Sequence, residues 1–193
     1  MNSTKHLYII AGCNGAGKTT ASMTILPKSL LVKEFVNADE IAKGLSPFNP
    51  EGVAIEAGRL MLERVRVLLS RGESFSIETT LATRSYVKLV RQARKQGYMV
   101  HLVYFWLETP ELAVDRVAER VSKGGHNIPH DVILRRYAKG ISNLFNLFMN
   151  EVDIWIIYDN SEYKRERVAF GGKDTRTRIN NREKFNKIKD YVK

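Results

Sequence analysis

The chain has 193 residues, of which 44% are hydrophobic and 27% charged. That length suits one globular domain with a full core, and the composition excludes collagen-like, low-complexity and disulfide-stapled classes. The formal net charge is +10, with 11 Lys/Arg against 5 Asp/Glu after residue 160, so +6 of the excess sits in the last 33 residues. A basic balance favours an anionic partner, and a solvated tail is the simpler account of that segment than a nucleic-acid patch. The single cysteine, Cys13, suits a reducing compartment. The early apolar run Leu7–Ala11 is too short for a signal-peptide core, and no stretch reaches the roughly 20 residues that span a bilayer. The expectation is a cytoplasmic protein with no membrane contact.

Five short apolar runs alternate with helical patterns: Leu7–Ala11, Phe35–Val36, Phe75–Ile77, Val100–Trp106 and Ile154–Tyr158. Continuous apolar runs suit strands covered on both faces. Asn49-Pro50-Glu51 predicts a helix start, followed by Val53, Ala57, Leu60, Met61, Val65 and Leu68 at helical spacing up to Gly72. Thr83 predicts the cap of a helix carrying Val87, Val90 and Ala93. Thr109-Pro110 opens another, with Val114, Val117 and Val121 on one face and Gly124-Gly125 stopping it. Pro129 opens a long helix with the stripe Ile133, Tyr137, Ile141, Leu144 and Phe148. The alternation predicts an α/β fold, three-layer α/β/α, with a mostly parallel five-stranded sheet. The whole chain, 1–193, is expected to be one domain with its core over about 5–160 and a basic C-terminal tail over about 161–193, where Phe170-Gly171-Gly172 can turn a small edge hairpin.

The first strand runs into Gly12-Cys13-Asn14-Gly15-Ala16-Gly17-Lys18-Thr19, the Walker A pattern in its proper strand-to-helix context. Gly15 and Gly17 let backbone amides close around phosphate oxygens. Lys18 reaches the β- and γ-phosphates, Thr19 offers a hydroxyl to Mg²⁺, and the following helix dipole adds to binding. Gly12, Asn14, Gly15, Ala16, Gly17, Lys18, Thr19 and Thr20 are therefore the expected ATP-binding residues. Cys13 has no base beside it and reads as a variable loop position.

Parallel strands that end on one edge bring their carboxyl-terminal residues to one crevice. Asn37-Ala38-Asp39-Glu40 follows the second strand and Glu78-Thr79-Thr80 the third. Asp39 is suited to deprotonate a substrate hydroxyl for in-line attack on the γ-phosphate. Glu78 either holds Mg²⁺ through water or binds the substrate, and helix capping or surface charge is the bland alternative for both acids. Thr80 and Arg84 are placed with Glu78 on the acceptor side. Arg116 and Arg120 share a helical face, and Arg135 and Arg136 follow a glycine-containing loop. Together they suggest a lid that neutralises the transferring phosphoryl group, although pairing with Asp115, Glu119 and Asp131 accounts for them equally. Within the lid set, Arg120 and Arg136 are the expected catalytic pair beside Asp39 and Lys18. The four histidines lack metal-ligand spacing; His126 and His130 are separated by Pro129, which leaves them structural or substrate-loop roles.

Gly12–Thr20, Asn37–Glu40, Leu45-Ser46-Pro47, Ser76–Thr80 and the Arg116–Arg136 block together resemble the zeta toxin-like P-loop kinases over about residues 7–160. The resemblance implies transfer of the ATP γ-phosphate to a small-molecule hydroxyl, with a UDP-activated amino sugar as the acceptor of zeta toxins proper. It also implies Asp39 as general base, Lys18 and Thr19 as phosphate and magnesium groups, Glu78 with Thr80 near acceptor or metal, and Arg120 as a lid arginine. The second lid arginine of zeta toxins proper is replaced here by His126-Asn127-Ile128-Pro129, with Arg135 or Arg136 as substitute. The family context brings in an antitoxin-like protein as a partner, although no antitoxin segment is visible in the chain. Two other readings stay open: a regulatory P-loop ATPase, and a polynucleotide kinase-like nucleic-acid-binding protein. A positioned base such as Asp39 favours the kinase, because an ATPase needs none.

Overall fold

The computed structural model describes residues 4–29, 32–125 and 127–192. Strand β1 (Lys5–Gly12) lies at the centre of a sheet ordered β2-β3-β1-β4-β5-β6-β7. β1 pairs in parallel with β3 (Phe75–Thr79) on one side and β4 (Tyr98–Trp106) on the other. β2 (Glu34–Val36) extends the first side in parallel, and β5 (Ile154–Asp159) the second. These five are the strands expected from the apolar runs. In chain order α1 (Lys18–Ser29), α3 (Ala54–Arg71), α4 (Tyr86–Lys95), α5 (Pro110–Ser122) and α6 (His130–Asn146) lie in the connections between these parallel strands.

The sheet has seven strands, not five. β6 (Glu166–Gly172) pairs antiparallel with β5, and the two-residue β7 (Arg178–Ile179) pairs antiparallel with β6. The segment expected to be a solvated tail is thus largely folded: Val168 and Ala169 are fully buried. Charge hid this strand, since only two apolar side chains in its first half carry the burial signal. Gly172 makes the pairing possible, because a Cβ there would come 2.1 Å from the Asp153 carbonyl oxygen. Beyond it, α7 (Arg182–Lys189) buries Ile188 and stacks Phe185 edge-on against Phe145 of α6, with ring centroids 5.7 Å apart. Tyr191 meets Tyr137 of α6 in the same way at 5.2 Å.

Local chemistry sets the helix starts. The Thr109 hydroxyl accepts from the Leu112 amide and Pro110 occupies the first turn of α5, as expected. Asn49 caps a 3-10 turn, Pro50–Val53, and α3 proper begins only at Ala54. Thr83 does not cap α4: its hydroxyl pairs with that of Ser85, and the helix starts at Tyr86. The stripe of α6 is buried through Leu144, but Phe148 falls in a separate 3-10 turn, Phe148–Asn150. A helix absent from the sequence reading, α2 (Ala38–Leu45), follows β2 directly because the Asn37 side chain accepts from the Asp39 amide at 2.9 Å. Leu60 departs from the expected α3 stripe and is partly exposed, while Ala57, Met61, Val65, Leu68 and Leu69 hold the core side. Among the described residues no helix is long and apolar enough to cross a membrane.

Candidate active site

The carboxyl edge of the parallel strands carries two adjoining cavities. The first, of about 230 Å³, is walled by the loop between β1 and α1: Asn14, Gly15, Gly17, Lys18, Thr19 and Thr20 line it. Gly15 and Gly17 have φ of +77° and +76°, the left-handed region that L side chains rarely adopt. Gly12 and Ala16 do not face this cavity; they are buried and frame the loop from below. Cys13 is buried as well, and that burial pushes its thiol up to about 12, which removes it as a nucleophile.

Lys18 donates to the Cys13 carbonyl at 2.9 Å and lies 3.7 Å from a Glu78 carboxylate oxygen, both side chains being only 7% exposed. The Thr19 hydroxyl reaches both oxygens of that carboxylate, at 2.9 and 3.1 Å. Burial raises the Glu78 pKa above the ordinary value; Lys18 and the Thr19 hydrogen bond pull against it. The Thr19 hydroxyl and the Glu78 carboxylate are hard oxygen donors side by side, a set that suits Mg²⁺. Among the described residues no cluster of three His, Cys, Asp or Glu side chains converges, so these two oxygens would serve a cation held mainly by phosphate and water. His6 Nδ1 and His101 Nε2 meet at 3.0 Å across β1 and β4, away from both cavities. Burial, with His6 beside it, holds His101 down to about 4. His126 lies outside the described residues, and His130 is exposed at the start of α6.

The second cavity, of about 420 Å³, opens between β3, α2, α3 and α6. Asn14, Lys18, Asp39 and Glu78 line both cavities, so the two share a wall. Asp39 is exposed in the first turn of α2, and Thr80 lines the second cavity with Thr79 and Thr83. Arg136 donates to the Asn14 side chain at 3.3 Å and also lines this cavity, whereas Arg135 is exposed and lines neither. Arg120 lines the phosphate-loop cavity. Arg84 is exposed and lines neither cavity, because α4 starts two residues late and turns it outward.

Three residues of this edge escaped the sequence reading. Asn37 is buried and lines the second cavity; its Oδ1 caps α2 while its Nδ2 has no hydrogen-bond partner among the described residues. Arg59 lines the same cavity from α3. Asn160, just past β5, donates to the Ala16 carbonyl at 2.9 Å. Only the short polar stretch after each strand could have flagged Asn37 and Asn160.

The family model for "Zeta toxin" matches residues 1–167. The chain belongs to the Zeta toxin family. An uncharacterised Haemophilus influenzae protein is 31% identical over 126 residues, 65% of this chain and 88% of that protein. Among solved structures, a chain of the AvrRxo1-ORF1:AvrRxo1-ORF2 complex with sulphate ions superposes with a TM-score of 0.80 at 19% identity, over 97% of this chain. The same complex with ATP gives 0.79. This chain spans 64% of the length of that AvrRxo1 chain. A chain of the PezAT chromosomal toxin–antitoxin system of Streptococcus pneumoniae gives 0.66 at 22% identity, over 88% of this chain and 72% of that one. At these identities the structural likeness speaks for the fold, an α/β architecture with a mostly parallel central sheet.

Proposed function

We propose that this chain is an ATP-dependent kinase that transfers the γ-phosphoryl group to a hydroxyl of a small molecule. The observation that carries this reading is the shared wall: Asp39, Lys18 and Glu78 stand between a glycine-lined phosphate cavity and a separate, larger cavity. An ATPase needs only the first. ATP binding draws support from the Walker loop and from the ATP complex of the AvrRxo1 neighbour.

The mechanism follows from the residues. The amides around Gly15 and Gly17 and the Lys18 ammonium take the triphosphate. The Thr19 hydroxyl and the Glu78 carboxylate would hold Mg²⁺, which would supply positive charge to offset that of the triphosphate. Asp39 accepts the proton of the acceptor hydroxyl; the oxygen–phosphorus bond forms as the bond to the bridging oxygen of ADP breaks. Arg120 from one side and Arg136 from the other offset the charge on the transferring group. The unpaired Asn37 Nδ2 and the Thr79, Thr80 and Thr83 hydroxyls offer the acceptor hydrogen bonds. Arg59, at the cavity wall, suits an acceptor that carries an anionic group. A UDP-activated amino sugar meets these demands and is the first acceptor to try. An antitoxin-like protein partner follows from the toxin–antitoxin systems among the structural neighbours. The basic C-terminal segment gives nucleic acid less support, since Lys184 and Lys187 pair with acids of the fold.

The deciding experiment incubates the protein with Mg-ATP and a metabolite pool that includes nucleotide sugars, followed by ³¹P NMR and mass spectrometry. A new phosphomonoester names the acceptor. Inorganic phosphate alone, with every acceptor present, refutes the kinase reading in favour of an ATPase.

A further inference from the structure

The turn Asp159-Asn160-Ser161, immediately after β5, is wired on both sides. Toward the phosphate loop, the Asn160 side-chain amide donates to the Ala16 carbonyl, and its nitrogen would lie 2.7 Å from a Cβ on Gly17. Asn160 therefore seats the loop at a residue whose left-handed backbone leaves no room for a side chain. Arg116 clamps the turn from α5, donating to the Asn160 carbonyl at 2.8 Å and the Ser161 carbonyl at 2.7 Å. The Asn160 amide in turn donates to the Trp106 carbonyl at the end of β4.

On its far side the turn is held by Asp159, which is 3% exposed. One of its carboxylate oxygens accepts from the Ser161 amide and hydroxyl, at 2.8 and 2.5 Å. The other accepts from Lys184 of α7 at 2.6 Å, and Lys184 also binds Glu166 of β6 at 2.8 Å. Burial alone would raise the Asp159 carboxyl, but the Lys184 and Ser161 hydrogen bonds outweigh it and hold the carboxyl below its usual range. The chain of contacts runs from α7 through Asp159 and Asn160 to Ala16 and Gly17. Lys184 lies beyond residue 167, where the family match ends.

The geometry points to Asn160 and Lys184 as positioning residues that fix the phosphate loop, with Lys184 acting through Asp159. This inference rests on the nucleotide-binding reading above. It separates two roles for α7: its aromatic contacts with α6 support the fold, whereas Lys184 sets the loop. A small displacement of positioned groups is enough to cost about a hundredfold in a reaction, so a slack loop should be measurable.

The test uses the full chain and MgADP as the probe, by isothermal titration calorimetry. Asn160→Ala and Lys184→Met should each weaken MgADP by about tenfold or more. Their combination should lose no more than the worse single variant, since both act through one connection. Lys184→Arg, which keeps the charge, should restore binding to within about threefold, and Lys187→Met, which breaks the other α7 ion pair to Glu108, should leave it within about twofold. Should Lys184→Met fail to fold, Ser161→Ala takes its place, because it removes one Asp159 partner and leaves α7 intact. Folded single variants that bind MgADP like the wild type, or a double variant whose loss is the product of the singles, overturn the inference. A wild-type chain that does not bind MgADP refutes the nucleotide reading and the inference with it. Binding without phosphoryl transfer refutes the kinase reading alone and leaves these comparisons valid.

Discussion

Glu78→Gln tests the electrostatics of the site against a simple intuition. The Glu78 carboxylate lies 3.7 Å from the Lys18 ammonium with both side chains 7% exposed, which suggests a stabilising ion pair. At an effective dielectric of about 20, that separation is worth about 4–5 kcal/mol of attraction. Taking a carboxylate out of water costs several kcal/mol. The direction of the Glu78 pKa decides between them: it is raised, with burial the largest cause, so the folded chain favours the protonated, neutral acid more than the unfolded chain does. The sign follows from linkage. Stabilisation by the bound proton is present below the unfolded value of about 4.3 and is lost as pH rises through the higher folded value. At pH 7 the charged form is therefore a net cost. Gln keeps the shape and an acceptor for the Thr19 hydroxyl, so Glu78→Gln should leave the nucleotide-free protein as stable as wild type or up to about 1 kcal/mol more stable, a Tm rise of about 0–4 °C. With a negative charge gone beside the phosphate cavity, Mg-free ADP should bind about tenfold tighter, while turnover with Mg-ATP falls by about 100-fold or more as a cation-binding oxygen is lost. Circular dichroism melts at pH 7 and calorimetric titration with ADP in EDTA read these quantities. A nucleotide-free Tm lowered by more than about 8 °C, roughly 2 kcal/mol, would show that the pair stabilises the fold and refute the reasoning.

Lys18→Ala should abolish ATP turnover, because the loop loses its only lysine at the phosphate cavity; turnover at the wild-type rate in a phosphate-release assay removes the Walker assignment. Asp39→Asn should leave ATP affinity within a few-fold while cutting phosphoryl transfer by about 100-fold or more, and a transfer rate near wild type takes away its role as base. Ile188→Ala should cost about 2–5 kcal/mol in urea unfolding, since this fully buried side chain anchors α7 on the fold; a loss under 0.5 kcal/mol would return the segment to the solvated tail its charge suggests.

The parallel half of the fold and the glycine-rich loop after β1 were legible in the sequence because both depend on local, strongly patterned signals. The apolar run Leu7–Ala11 is buried on both faces, as a central strand of a parallel sheet must be. The Walker loop writes its geometry in three glycines with positive φ, Gly12, Gly15 and Gly17. What escaped depends on tertiary context. β6 has few apolar residues and two glycines, and only the proximity of Asp153 and Trp155 explains them. α2 is eight residues long and begins on the same residues that serve the site, so Asp39 looked like a strand end and proved to be a first-turn helix residue. The choice between Arg135 and Arg136 was closed only by helix phase, which turns the second inward to Asn14 and the first to solvent. Asn160 left no pattern, because its partner is a backbone carbonyl 144 residues away.

On the kinase reading proposed above, the two cavities separate what binds the donor from what selects the acceptor. The phosphate cavity is built from the loop, the first turn of α1 and α5, with Asp39 and Glu78 reaching in from the shared wall. The far wall of the second cavity is one face of α3, including Ile55, Gly58, Arg59 and Leu62. Ile55 is 77% exposed and Leu62 42%, which the core stripe of α3 cannot explain. Apolar side chains there make sense as a surface that meets an acceptor's carbon framework, with Arg59 beside them for an anionic group. The same reading expects substitutions along that face to retune the acceptor while sparing the phosphate loop, and substitutions in the shared wall to alter both halves of the reaction. On the proposed kinase reading, selectivity would belong to α3 and chemistry to the wall between the cavities, a division that would let one phosphate-loop scaffold serve different acceptors.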